Sequence, residues 1–230
     1  MATRSSERWQ SLPGSFDALH GERLYPSSNA YGIPDLAPAP LAACPAWLAA
    51  YRQRVRSRKG LADGAVHFFL DDYRFESVWN RPFKALEHLS SYSKLLTPDF
   101  SLYRDWPHTL QLWNVYRNRW CGRFWQEQGF EVSPTIGWGG KASFEFCFLG
   151  VPEKSVVAVS TVGVKLEEPL AYTLFMDGFQ EMVARLSPTR VLCYGKVPEA
   201  CQTLVEVRSF PTRWEGIRKA RKSTIHLSKR

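Results

Sequence analysis

The chain has 230 residues, of which 44% are hydrophobic and 23% charged, enough for one sizeable core. It holds no run of about 18 apolar residues, and Met1–Gln10 lack an apolar signal region. No membrane span is therefore expected, and a cytoplasmic protein is. Its five cysteines form no CxxC pair, which points to buried free thiols rather than a zinc site or a disulfide framework.

The net charge of +8 is unevenly spread. Residues 208–230 carry eight basic residues against Glu215 alone, whereas residues 66–200 carry 14 basic and 15 acidic ones. Localised basic segments beside a near-neutral body suggest an anionic partner, nucleic acid first.

Residues 1–45 read as an extended arm. Pro13, Pro26, Pro34, Pro38, Pro40 and Pro45 punctuate it, each restricting its predecessor to extended geometry. Its aromatic residues, such as Tyr25 and Tyr31, favour partial docking over full disorder. A basic helix is predicted over residues 46–59. Arg52, Arg54, Arg56, Arg58 and Lys59 fall near its carboxyl end, where the helix dipole favours cations, and Gly60 ends it.

From there, short apolar runs stop repeatedly at polar residues. Strands are expected at residues 66–70, 94–97, 131–135, 156–160 and 190–194, with a further edge strand within 204–210. Helices are expected at residues 82–92, 109–128 and 170–186. Residues 143–150 fit either a strand, from the alternation of Phe144, Phe146 and Phe148, or a short helix between Ser143 and Gly150. The helix is preferred, because it restores strand–helix alternation. These elements predict an α/β domain over residues 46–210, built from βα units around a mostly parallel sheet. An irregular or reduced (β/α) barrel is one form of it. A basic tail, 211–230, follows.

Sites in such folds gather beyond the carboxyl ends of the strands. Asp71, Asp72 and Asp99 stand there with Glu76 nearby, and strands about 5 Å apart bring such carboxylates within reach of one another. They are the candidate catalytic residues, with Asp71 and Asp99 as candidate ligands of Mg²⁺. The bland alternative has Asp71 capping a turn, Asp72 paired with Arg74, and Asp99 paired with Arg117 or Arg119. A second group, Ser101, Thr135, Ser160, Thr161, Tyr194 and Lys196, would line a polar pocket, with Trp138, Arg117 and Arg119 around it. No G-x-S-x-G elbow accompanies these hydroxyls, which argues against a serine hydrolase. Gly137, Gly139, Gly140 and Lys141 follow a strand and could hold an anion on backbone amides, but they lack P-loop spacing.

Several segments in order are similar to one family: FFLDDYRFESVW (68–79), LLTPDFS (95–101), QLWNVYRNRW (111–120), GFEVSPTIGW (129–138) and GVPEKSVVAVSTVG (150–163). The chain resembles, over roughly residues 60–200, a bacterial, phage and plasmid family known only as a domain of unknown function. The resemblance implies an association with mobile genetic elements and carries no catalytic residue over. The arm and tail fall outside it.

The leading expectation is a nucleic-acid-associated protein of a mobile element. The basic helix and the tail residues Arg213, Trp214, Arg218, Lys219, Arg221 and Lys222 would grip the backbone. A metal-dependent hydrolase or nuclease using the carboxylates is the first alternative. A protein that binds a host partner through its aromatic arm is the second.

Overall fold

The computed structural model describes residues 20, 21, 23–53, 61–212 and 215; the predicted basic residues Arg54, Arg56, Arg58, Lys59, Arg213, Trp214, Arg218, Lys219, Arg221 and Lys222 lie outside them. The fold is α/β and every strand pair is parallel. Strands β1 (Trp47–Ala50), β2 (Gly64–His67), β3 (Lys94–Leu96) and β4 (Glu131–Ser133) form one sheet in chain order. Strands β5 (Val156–Ser160), β6 (Arg190–Tyr194) and β7 (Val207–Phe210) form a second.

A parallel bridge between Thr135 and Ala158 links the two sheets. Ile136 N–H donates to the Ala158 carbonyl at 2.8 Å, and Ala158 N–H to that of Pro134 at 2.8 Å. The sheet is therefore two sheets in one sequential order rather than a single ladder. Among the described residues no ladder joins β7 back to β1, so no barrel closes; Arg208 Nη2 reaches the Ala46 carbonyl across that gap at 3.3 Å.

The alternation of side chains along each strand sorts three apolar clusters. Phe69, Leu96, Val156, Ala158, Leu192, Tyr194 and Phe210 fill the interior between the two sheets. On the outer face of the first sheet, Val66, Phe68, Leu95 and Val132 pack against helices α1 (Ser77–Asn80), α2 (Pro82–Leu89) and α3 (His108–Glu127). Outside the second sheet, Val157, Val159, Val191 and Cys193 meet Phe175, Phe179 and Met182 of helix α4 (Pro169–Leu186). A short helix α5 (Glu199–Gln202) precedes β7. All five cysteines are free, and four of them are buried. No helix among the described residues is long and apolar enough to cross a membrane.

Helix α3 serves both halves, because it carries two apolar faces and a polar one. Trp120, Phe124 and Trp125 bury under the first sheet, Val115 packs on the second half, and Asn114, Arg117, Asn118 and Arg119 turn toward the strand exits.

Two local expectations are corrected. Residues 47–50 form an edge strand in register with Gly64–His67, not the start of a basic helix. Residues 143–150 hold the end of a 3₁₀ turn (Lys141–Glu145) followed by further turns, not an α-helix. The described part of the arm is largely extended and is tied down by main-chain bonds. Leu36 N–H donates to the Gly150 carbonyl at 2.9 Å, and Val156 N–H to that of Ala39 at 2.9 Å. Gly150 is required there: its φ is +70°, and a Cβ would stand 2.2 Å from the Pro34 carbonyl oxygen.

Candidate functional site at the strand exits

Parallel pairing, with a parallel bridge between the sheets, places all strand exits at one end of the molecule. Two loops meet at the exits of β2 and β3. Ser101 donates its N–H to Asp72 Oδ2 at 3.0 Å and its hydroxyl to Oδ1 at 2.8 Å. Asn114 on α3 holds the same serine by donating to its carbonyl at 2.7 Å. Asp72 is thus clamped to Ser101 rather than paired with Arg74.

Asp99 sits beside this clamp, facing Gly137 of the loop after β4; a Cβ at Gly137 would lie 3.8 Å from Asp99 Oδ1. Its carboxyl is raised from 3.8 to about 7, first because burial penalises the charge and then because the Asp72 carboxylate is close. Asp99 therefore exchanges its proton near neutral pH, beside a second carboxylate. Asp71 does not join the pair. It is exposed, and it stands before the 3₁₀ turn Asp72–Arg74 without a side-chain cap bond. Among the described residues no group of three or more His, Cys, Asp or Glu is gathered closely enough to hold a metal ion.

Two arginines of α3, Arg117 and Arg119, are positioning groups. Arg117 pairs with Glu76 and lies 3.9 Å over the Phe100 ring, so neither Arg117 nor Arg119 is the partner of Asp99. Arg119 is 1% exposed and donates to the carbonyls of Leu149 (3.0 Å), Thr135 (3.1 Å) and Cys147 (2.8 Å) and to Asn118 Oδ1 (2.5 Å). Burial lowers it to about 10, so it stays charged and fastens the bridge region between the sheets.

The remaining expected pocket residues are occupied in other ways. Thr135 is buried; its hydroxyl donates to the Thr97 carbonyl at 2.7 Å, and its N–H donates to Thr97 Oγ1 at 2.7 Å. Ser160 donates to the Tyr194 carbonyl at 3.2 Å, and Thr161 N–H donates to the same carbonyl at 3.1 Å. The Tyr194 ring lies in the interior, 4.3 Å from the ring of His67 and 5.4 Å from that of Phe69. Lys196 is exposed. Trp138 packs on Gly178 of α4 and donates to the Leu174 carbonyl at 3.2 Å. The five side chains Asp71, Asp99, Thr135, Ser160 and Tyr194 thus do not converge on one pocket. In the glycine loop, Gly139 and Gly140 N–H both donate to Ser143 Oγ, at 3.1 and 3.3 Å, and Lys141 pairs with Asp177 at 3.2 Å.

The open ground lies toward β1. A cleft of about 310 Å³ is lined by Arg52, Ser77, Asn80, Arg81, Lys84 and Ala85. A neighbouring cleft of about 410 Å³ shares Arg52 and adds His88 and Tyr92. Arg52 stands in a left-handed turn (φ 59°), stacks on Tyr51 at 5.2 Å and donates to Ser77 Oγ at 3.3 Å. Among the described residues no carboxylate pairs with Arg52, Arg81 or Lys84. Arg81 and Lys84 were not singled out in the sequence; Arg81 stands at the N-cap of α2 and Lys84 in its first turn, where both line the cleft with Arg52.

Residues 25–211 match the domain of unknown function DUF4417. The Gene 1 protein of Mycobacterium phage D29 is 46% identical over 220 residues, covering 94% of this chain and 80% of the phage protein. The Gene 1 protein of Mycobacterium phage L5 is 44% identical over 219 residues, covering 94% of each chain. No solved structure matches the chain. The match begins within the arm rather than near residue 60, in keeping with the main-chain bonds that tie residues 36 and 39 to the second half. The chain belongs to the DUF4417 family, which has phage-encoded members.

Proposed function

We propose that the chain is a nucleic-acid-associated protein that holds the phosphate backbone at the β1 side of its strand-exit end. The observation that carries this reading is the cleft in which Arg52, Arg81 and Lys84 gather without a carboxylate among its lining residues. Three cations around one polar concavity attract phosphate and release counterions when it binds. In the sequence, Arg52 is followed closely by Arg54, Arg56, Arg58 and Lys59, which lie outside the described residues. The test is a salt titration of nucleic-acid affinity. The double variant Arg81→Ala/Lys84→Ala should bind more weakly and lower the slope of log affinity against log salt by about 1 to 2. An unchanged slope with unchanged affinity overturns the reading.

A second reading, a metal-dependent hydrolase or nuclease, is favoured by the Asp72–Asp99 pair. A carboxyl that exchanges its proton near neutrality suits general acid–base work, and two carboxylates can share Mg²⁺ with substrate oxygens. Turnover that disappears on chelation and in a folded Asp99→Asn variant, with nucleic-acid affinity retained, selects this reading.

A further inference from the structure

Each of the first three strands is followed by the same dipeptide. Tyr51-Arg52 follows β1, Tyr73-Arg74 follows β2, and Tyr103-Arg104 lies in the loop after β3. Because β1, β2 and β3 are parallel neighbours in that order, the three steps line one rim. They are not used alike. Tyr51 is buried and serves as the bed of Arg52. Tyr73 is 80% exposed and Tyr103 is 55% exposed, and Arg74 and Arg104 are exposed beside them.

An exposed tyrosine is common, but two on loops fastened together are a different matter. Asp72, which precedes Tyr73, receives both hydrogen bonds of Ser101, two residues before Tyr103. Asn114 anchors that serine from α3, and the ring of Trp106 meets Tyr103 edge-on at 4.8 Å. Arg104 is laid back toward the loop after β4, where a Cβ on Gly140 would stand 3.7 Å from its Cγ. The rings are therefore presented on a braced platform rather than on floppy loops.

The charge around them is balanced. Exposed Asp71 and Asp105 offset Arg74 and Arg104, whereas the cleft at Arg52, Arg81 and Lys84 is purely cationic. Such a division suits a ligand whose backbone lies in the cleft and whose unpaired bases reach rings. In a duplex the bases are stacked on one another, and their faces are closed to side chains. Stacking on aromatic side chains needs an open base face and tolerates any sequence.

Resting on the backbone-binding reading above, we infer that this rim is a site for single-stranded nucleic acid, with bases stacked on Tyr73 and Tyr103 and phosphates met by Arg52, Arg74 and Arg104. The test uses the full chain with a fluorescently labelled oligothymidylate and a labelled duplex of equal length at low salt. Wild type should prefer the single strand. Tyr73→Ala and Tyr103→Ala should each weaken single-strand binding by about tenfold and leave duplex binding unchanged. Tyr73→Phe and Tyr103→Phe, which keep the ring, should bind as wild type does. Circular dichroism and melting of each variant check that these exposed positions leave the fold intact.

Equal affinity for both ligands in wild type, with no loss in the alanine variants but a loss in Arg81→Ala/Lys84→Ala, overturns the single-strand site and leaves backbone binding standing. Absence of binding to either ligand overturns both. Rescue failure in folded phenylalanine variants also counts against stacking, since it would make the hydroxyls rather than the rings the contact.

Discussion

At the exits of β5 and β6, Ser160 and Thr161 turn back onto main chain, whereas at the exits of β1 to β3 cations and rings stand in solvent. Ser160 and Thr161 both engage the Tyr194 carbonyl, and Gly195 N–H donates to that of Phe210 at 2.8 Å, so the turns at the second sheet's end are satisfied on main chain, and Lys196 beyond them stands exposed as a cation. In the first sheet, Arg74, Tyr73, Tyr103 and Arg104 are exposed, and the Arg52 cleft opens beside them. The connections explain the contrast. The β6–α5 link, residues 195–198, is too short to do more than turn, and the longer β5–α4 link, residues 161–168, is tied at its start by Val162 N–H donating to Ser160 Oγ at 3.0 Å, while the β3–α3 link, residues 97–107, can project and still be anchored by α3. A strand exit keeps polar groups available to a ligand only where its loop has some left over after its own turn is satisfied.

Substitutions that separate the two ends sharpen this contrast. The largest effect is expected where they are joined. Arg119→Ala removes a buried guanidinium that serves the carbonyls of Thr135, Cys147 and Leu149. Leaving those acceptors unpaired should cost about 3–5 kcal/mol, read by denaturant unfolding. Arg119→Lys should recover only part of it, because one ammonium cannot span the fork. Equal stability of the alanine variant would mean that the sheets are held by the interior cluster alone.

Gly195→Ala tests the second sheet's end. Gly195 has φ +111°, and a Cβ would stand 2.4 Å from Thr161 Oγ1. Strained backbone and a displaced threonine should lower stability by about 2 kcal/mol. Nucleic-acid affinity measured under native conditions should not change, because the second sheet's exits face no ligand in the reading above. A loss of affinity larger than the loss of stability explains would place part of the site there.

The second sheet was the more legible in the sequence. VVAVS and RVLCY are continuous apolar runs bounded by turn residues, and β5 and β6 fall where those runs predict. The edge strand β1 was not legible, because WLAA is too short to show a period and the arginines after it imitate a helix end. The placing of Asp72 and Asp99 at neighbouring strand exits was legible, but their partnerships were not. The Asp72–Ser101 clamp spans 29 residues, and nothing local distinguishes it from an Asp72–Arg74 pair. Arg119 was ambiguous for a similar reason: a helix that turns its polar face inward, onto loops, breaks the usual rule that polar residues face water. The Arg81–Lys84–Arg52 cleft exists only because α2 begins beside the exit of β1.

The smallest expected effect, and the one with a pH signature, belongs to Asp99. Its carboxyl binds a proton up to about pH 7 in the folded chain but only to about 3.8 when unfolded. Between those values the folded state holds more protons than the unfolded one, so stability falls as pH rises through that window and levels off above it. Asp99→Asn removes the charge and with it this slope. The variant should match wild type near pH 4 and exceed it by about 1–2 kcal/mol above pH 7, a discounted figure because part of Asp99 still meets solvent. Urea unfolding across that range measures it. A variant that is less stable than wild type at pH 8 would show that the ionised carboxylate has a favourable partner, and would move Asp99 from the acid–base pair to the structural framework of the β3 exit.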